Sequence, residues 1–92
     1  MIRGFKDRKT VCLFAGLGVR EFRGFSDQAV RRLTVLNSAE TLQDLANLRS
    51  NRFEALSGDR KNQFSIRINR QWRICFRWKE DGPFDVEIVD YH

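Results

Sequence analysis

Residues 64–89 change polarity at almost every second position, and no other feature narrows the possible folds as much. Phe64, Ile66 and Ile68 alternate with Ser65, Arg67 and Asn69. Beyond a turn near Asn69-Arg70-Gln71, Trp72, Ile74, Phe76 and Trp78 alternate with Arg73, Cys75 and Arg77. Glu80-Asp81-Gly82-Pro83 is a strong turn sequence, because Gly and Pro supply the dihedrals that a reversal needs. Phe84, Val86 and Ile88 then alternate with Asp85, Glu87 and Val89. A period of two sends successive side chains to opposite faces of a strand, and turns this short join strands antiparallel. The expectation is a three- or four-stranded antiparallel sheet with one covered face.

The cover has to come from upstream, where the period lengthens. Ser26 reads as an N-cap with Asp27 favourable at the helix start, and Ala29, Leu33 and Leu36 recur at helical spacing with Val30 widening the stripe. Thr41-Leu42-Gln43-Asp44 matches a capping box, followed by Leu42, Leu45, Ala46 and Leu48 as an apolar face that ends at Ser50-Asn51. Together these predict an αα-hairpin with a short connection. Ile2 to Phe5 reads as a short first strand. Thr10 to Phe14 fits either a strand or a short helix, ended by Gly16 and Gly18. The fold class is therefore α+β, two N-terminal helices on a twisted antiparallel sheet. All 92 residues form one domain, 1–92, with no repeat, linker or low-complexity stretch. A chain of this size buries only about 60–65% of its unfolded surface, so ligands are expected in a surface groove.

Charge narrows the partner. There are 17 Lys and Arg against 12 Asp and Glu, a net charge of +5. Arg, with its planar fork of donors suited to phosphate, is the dominant cation. Residues 57–77 hold six basic groups and one acid, Asp59, whereas residues 78–92 hold Lys79 and five acids. A basic middle before an acidic end fits an anionic partner on one part of the surface, and it fits an ordinary solvated surface as well. The longest uncharged stretch, Thr10 to Val19, is about half of a membrane span, and Met1 to Phe5 has no secretory pattern. Cys12 and Cys75 can form one bridge, but free thiols in a reducing cytoplasm are the expectation. Two distant cysteines and one His make no metal site at ordinary spacing, and no cofactor is expected.

The strand face opposite the core carries Arg67, Arg73 and Arg77. Either Asp85 and Glu87 neutralise this row, or it lines a groove for phosphate. The chain ends Val89-Asp90-Tyr91-His92, which gathers an acid, a phenol and the only imidazole. With an ordinary pKa near 6.5, a His exchanges protons around neutrality, although an exposed terminal His without a role is the commoner case. Cleaving RNA needs a base for the 2′-hydroxyl, a cation for the charge on the phosphate and an acid for the leaving 5′-oxygen. His, Tyr, Asp and Arg can fill these roles. The clustered carboxylates of a two-metal nuclease are not in the sequence.

These residues bring a family into view. The chain resembles the HigB-type toxins of bacterial toxin–antitoxin modules, the plasmid maintenance killer-protein branch of the RelE/ParE superfamily. The resemblance runs over nearly the whole chain. It is strongest in Gly58-Asp59-Arg60, in Ser65 through Phe76 and in Val86 through His92. It implies a RelE/ParE-like fold and a ribosome-dependent endoribonuclease that cuts messenger RNA in the ribosomal A site. It also implies a cytoplasmic toxin held inactive by a HigA-like helix-turn-helix antitoxin, with operator DNA contacted mainly through that antitoxin. The family's site residues fall on Arg73, Asp90, Tyr91 and His92. Arg73 would hold the scissile phosphate, and His92 would lead proton transfer. Asp90 would position His92 or share its role, and Tyr91 would orient the substrate. Arg67, Arg77, Arg60 and Lys61 would bind RNA or the ribosome. Glu54 stands where some relatives have His, and Ser57 where they have Lys, so Glu54 can serve as a base while Arg60 or Lys61 replaces the missing cation. Asn62 stands where Gly is common. The alternative is a binding toxin without hydrolytic activity, either an inhibitor of DNA gyrase or a degenerate toxin acting only on its antitoxin and operon. Deleting Tyr91 and His92 is expected to abolish growth inhibition on induced expression while leaving a folded chain by circular dichroism. Full toxicity of the truncated chain would refute the assigned chemistry.

Overall fold

The computed structural model describes residues 1–90, so Tyr91 and His92 lie outside the described residues. Four strands, β1 (Glu54–Ala55), β2 (Phe64–Arg67), β3 (Trp72–Lys79) and β4 (Gly82–Asp90), form one antiparallel sheet in chain order. Ahead of it come α1 (Arg8–Phe14), α2 (Ser26–Ser38) and the short α3 (Leu42–Asn47). Leu13, Ala29, Leu33, Leu36 and Leu45 from the helices bury themselves against Ile66, Ile74, Phe76, Val86 and Ile88 of the sheet. This is the α+β architecture expected from the alternation, with a fourth strand supplied by Glu54–Ala55. Among the described residues no helix is long and apolar enough to cross a membrane.

Local chemistry accounts for the boundaries. The Asp7 carboxylate accepts from the Thr10 amide at 3.0 Å and caps α1, so the ambiguous Thr10–Phe14 stretch is helical. Ser26 is the first residue of α2 rather than its cap, because a 3-10 turn at Arg20–Phe25 runs straight into the helix. The Thr41 capping box is present, with the Thr41 hydroxyl accepting from the Asp44 amide and the Asp44 carboxylate accepting from the Thr41 amide. Those hydrogen bonds, and another from the Glu40 amide, hold the Asp44 carboxyl below its ordinary pKa. The helix stops sooner than its apolar pattern suggested, leaving Ala46 and Leu48 exposed. Asn51 is the reason. Its buried amide donates to the Leu45 carbonyl at 2.9 Å and accepts from Arg32 at 2.6 Å, drawing the chain into a 3-10 turn at Arg49–Asn51.

Two features of the sheet depart from simple alternation. The expected first strand at Ile2–Phe5 is one parallel bridge, Phe5 to Val86, flanked by hydrogen bonds from Arg3 to Pro83 and from Lys6 to Val86. The β3–β4 register also slips between Cys75 and Arg77, and Asp85 takes a positive φ of 52° there. This bulge turns Phe84 onto the Arg77 side of the sheet and puts Pro83 opposite Trp78, fully buried. Phe84 therefore does not share a face with Val86 and Ile88, because one extra residue reverses the alternation.

Gly82 has a φ of +126°, and a Cβ there would lie 2.7 Å from the Met1 carbonyl oxygen. Backbone cannot yield as a flexible side chain can. Gly82→Ala is expected to cost about 2–3 kcal/mol in urea unfolding and to release the Arg3–Lys6 amides to hydrogen exchange. A cost under about 0.5 kcal/mol would show that the N-terminal segment is not packed on β4 in this way.

Candidate functional site

The sheet is covered on both sides, and its second cover is polar. β1 pairs Glu54 with Ser65, β2 pairs Ser65 with Cys75, and β3 pairs Cys75 with Glu87. These four residues form one row across the face away from the helices. Arg67, Arg73 and Val89 form the next row. Ser65 and Cys75 are fully buried and Arg73 is 7% exposed, so this face is not the open surface that the alternation suggested. The segment from Arg52 to Gln63 folds over it. Gly58 and Asn62 turn that segment with left-handed backbone, at φ 63° and 71°. Asn tolerates this region, which explains its presence at a position where glycine is expected.

Arg73 is the centre of the face. Its Nε donates to the Ser65 hydroxyl at 2.8 Å, and its Nη2 donates to the Arg52 carbonyl. The Glu54 carboxylate lies 3.5 Å from the same Nη2. Arg52 itself has left-handed backbone, with φ 44° and ψ 52°. Arg67 sits directly across the ladder from Arg73, a like-charge pair that is unfavourable unless an anion screens it. Glu54 provides part of that screening, and the Arg67 Nε donates to the Asn69 carbonyl at 3.0 Å.

The expected neutralisers are distributed differently from the simplest reading. Asp85 does pair with Arg77, at 3.6 Å. Glu87 instead takes Arg60 at 3.1 Å and Lys6 at 3.4 Å, fastening the 58–63 turn and the N-terminal segment over the sheet. Arg60 also donates to Gln63. Beneath these charges lies Cys75, whose burial pushes its thiol pKa up, so it is a neutral filler rather than a nucleophile.

Two clefts lie beside the residues that hold Arg73, though Arg73 itself lines neither. One, of about 290 Å³, is lined by Glu54, Ser57, Asp59 and Arg60. The other, of about 430 Å³, is lined by Arg52, Arg67 and Arg70 with Gln28, Ser50 and Asn69, and holds no acid. Arg73 touches the wall of each, through Glu54 on one side and the Arg52 carbonyl on the other. Arg52 and Arg70 were not singled out in the sequence, because both sit in irregular segments without periodicity. Lys61 is exposed beside the turn. Asp90 pairs with Trp72 across the ladder, which puts it on the helix-facing side, and its carboxylate accepts from Gln71 at 3.0 Å. The sheet thus brings Arg73, Arg67 and Glu54 together and sets Asp90 on its other side. The assignments to Tyr91 and His92 fall outside the described residues.

Comparison with known proteins adds a family match and fold neighbours. Residues 23–92 match the family of the RelE-like toxin of type II toxin–antitoxin system HigB. Toxin HigB-1 of Vibrio cholerae serotype O1 is 44% identical over 62 residues, which are 67% of this chain and 64% of that protein. Endoribonuclease HigB of Proteus vulgaris is 27% identical over the full length of both chains. Among solved structures, the YoeB–YefM complex of Staphylococcus aureus superposes with a TM-score of 0.60 at 16% identity, covering 100% of this chain and 95% of that one. The YoeB dimer from the same organism gives 0.58, at 16% identity over 99% and 94% of the two chains. At that identity the likeness concerns the fold.

Ser65→Ala would leave the Arg73 Nε without its acceptor. It is expected to cost about 1.5–3 kcal/mol in urea unfolding, as for other hydrogen bonds to charged groups. An unchanged midpoint would show that the guanidinium is not held by this hydroxyl.

Proposed function

The chain belongs to the RelE-like toxins of the type II toxin–antitoxin system HigB, and from that premise we propose that it is a ribosome-dependent endoribonuclease cutting messenger RNA in the ribosomal A site. The observation that carries this reading is the buried Arg73 guanidinium, held by Ser65 and the Arg52 carbonyl, with the Glu54 carboxylate 3.5 Å away. A cation fixed in advance stabilises charge that develops on phosphate without reorganising during the reaction. A relative that carries the name endoribonuclease over the same length supports the assignment. As a type II toxin the chain works with a cognate antitoxin. We take that antitoxin to be HigA-like, with a helix-turn-helix that supplies most of the contact to operator DNA.

In the proposed metal-independent reaction, a strand of RNA crosses Arg73 with its backbone along the two clefts. Arg67, Arg77, Arg60 and Lys61 attract its phosphates and those of the ribosome, joined by Arg52 and Arg70 in the acid-free cleft. A base takes the proton of the 2′-hydroxyl, and the 2′-oxygen forms a bond to phosphorus. The bond from phosphorus to the 5′-oxygen breaks, and an acid returns a proton to that oxygen. Glu54 is exposed and adjacent to Arg73, which suits it to the first transfer. We assign the second to His92, with Tyr91 orienting the substrate and Asp90 acting on His92 from the helix-facing side of the sheet.

The test is transcript cleavage in a reconstituted translation reaction, with cut positions read by primer extension. The full chain is expected to cut only with ribosomes present. Arg73→Lys is expected to lower the rate at least about 100-fold, since Lys cannot reproduce the fork. His92→Ala and Glu54→Gln are each expected to lose about 10²–10⁴-fold, the usual range for a proton-transfer group. Cuts unaffected by His92→Ala would move proton transfer to Glu54, Asp90 or Tyr91. No cuts from the folded chain would overturn the ribonuclease reading.

A further inference from the structure

One acceptor of Arg73 comes from an uncommon stretch of backbone. Arg52 presents its carbonyl to the guanidinium from left-handed dihedrals, φ 44° and ψ 52°. Residues other than glycine seldom adopt that region, and they keep it only where the surroundings over-determine it. On the C-terminal side the constraint is the sheet, through the Phe53–Phe64 ring contact and the Glu54–Ser65 pair of the β1–β2 ladder. On the N-terminal side there is no sheet. There the Arg52 amide donates to the Arg49 carbonyl, and the preceding residue, Asn51, is fully buried. The Asn51 side chain is fixed at both ends. Its nitrogen donates to the Leu45 carbonyl at 2.9 Å, and its oxygen accepts from Arg32 Nη1 at 2.6 Å. The same Nη1 reaches the Ser50 hydroxyl at 3.3 Å.

Packing alone does not account for an arginine at position 32. The residue sits in the middle of α2, partly buried, and burial disfavours its charged form. Both of its side-chain acceptors are neutral, and none of the ion pairs within 4.0 Å among the described residues includes it. A partly desolvated cation without a carboxylate beside it lowers stability. What it supplies is position, a charge-assisted hydrogen bond on the side chain next to the left-handed residue.

We infer that Arg32 is a positioning residue for the proposed ribonuclease, holding Asn51 so that Arg52 keeps its backbone angles and its carbonyl stays on Arg73. The kinetic consequence rests on the ribonuclease reading, whereas the link from α2 to Arg73 is a property of the fold. Without Arg32 the carbonyl turns away, and Arg73 is left with Ser65 and the Glu54 carboxylate. The cation is then less well placed for charge that develops on phosphate. Arg67, Arg77, Arg60 and Lys61 are untouched, so RNA still binds.

The test measures kcat and KM of transcript cleavage in the reconstituted translation reaction. Arg32→Ala is expected to lower kcat about 10- to 100-fold, the scale of a small misplacement at a catalytic group, with KM changed less than about threefold. Should that variant fold poorly, Arg32→Lys keeps the stem and charge without the fork and is expected to lower kcat about tenfold. In an Arg73→Lys background either substitution is expected to lower kcat by less than about threefold, because its effect passes through Arg73. A merely structural residue would act equally in both backgrounds. Arg31→Ala, the exposed neighbour, removes the same charge and is expected to leave kcat within about threefold. A second readout needs no activity. In the 15N-labelled full chain, the Arg73 Nη hydrogens, identified by their loss in Arg73→Lys, are expected to be resolved, since the Arg52 carbonyl hinders guanidinium rotation. In the Arg32 variants they are expected to average. Either readout unchanged in a folded Arg32 variant, a loss undiminished in the Arg73→Lys background, or an equal loss in Arg31→Ala would overturn the inference. Averaging in the variants of a chain that cuts no transcript removes the ribonuclease and leaves the link. Cutting that ignores Arg32 removes the link and leaves the ribonuclease.

Discussion

Taking the Arg73 guanidinium out of water costs several kcal/mol unless its donors find acceptors, and much of the polar side of the molecule is arranged around that requirement. Ser65 is placed under Nε by the β2–β3 register. The Arg52 carbonyl reaches Nη2 because residue 52 takes left-handed backbone as the chain leaves the Arg49–Asn51 turn. Glu54 arrives two residues later on β1, and the ladder holds β1 beside Ser65. A surface arginine would need none of this. The contacts to Arg73 thus add to the β1–β2 ladder, the Phe53–Phe64 ring contact and the Arg60–Glu87 ion pair in holding the Arg52–Gln63 segment against the sheet.

The helical side obeys a different rule. There the sheet is apolar, and the helices need only present aliphatic side chains at the right spacing. That is why α2 was readable from Ala29, Leu33 and Leu36, and why β2, β3 and β4 were readable from their alternation. The capping box at Thr41–Asp44 was readable because two hydrogen bonds of known geometry require particular residues three apart. The places where sequence reading fell short share a cause. The β4 bulge depends on Asp85 accepting a positive φ, and no local pattern announces it. The early end of α3 depends on Asn51 meeting Arg32 from another helix, nineteen positions away. Both are tertiary decisions written over local preference.

The candidate site was legible in kind but not in layout. Arg67, Arg73 and Arg77 were identified as a row, and Glu54 as a group near the chemistry. The sequence could not show that Arg73 is buried while Arg77 is partly open, because both occupy alternate positions of one strand. It could not show that Glu87 spends its charge on Lys6 and Arg60, since those partners come from the first turn of the chain and from a loop. Arg52 and Arg70 were missed for a related reason. They become neighbours of Arg67 only when two irregular segments meet, and irregular segments carry no period to count.

The acceptor at Arg52 is a main-chain oxygen, and this changes what genetics can see. Any residue able to hold the same backbone angles presents the same carbonyl to Arg73, so position 52 can drift through many side chains while its contribution to the cation persists. A side-chain scan would score the position as dispensable for holding Arg73. The contact would surface only by editing the backbone itself, through an amide-to-ester replacement that weakens this carbonyl as an acceptor, or through a proline that denies residue 52 its dihedrals.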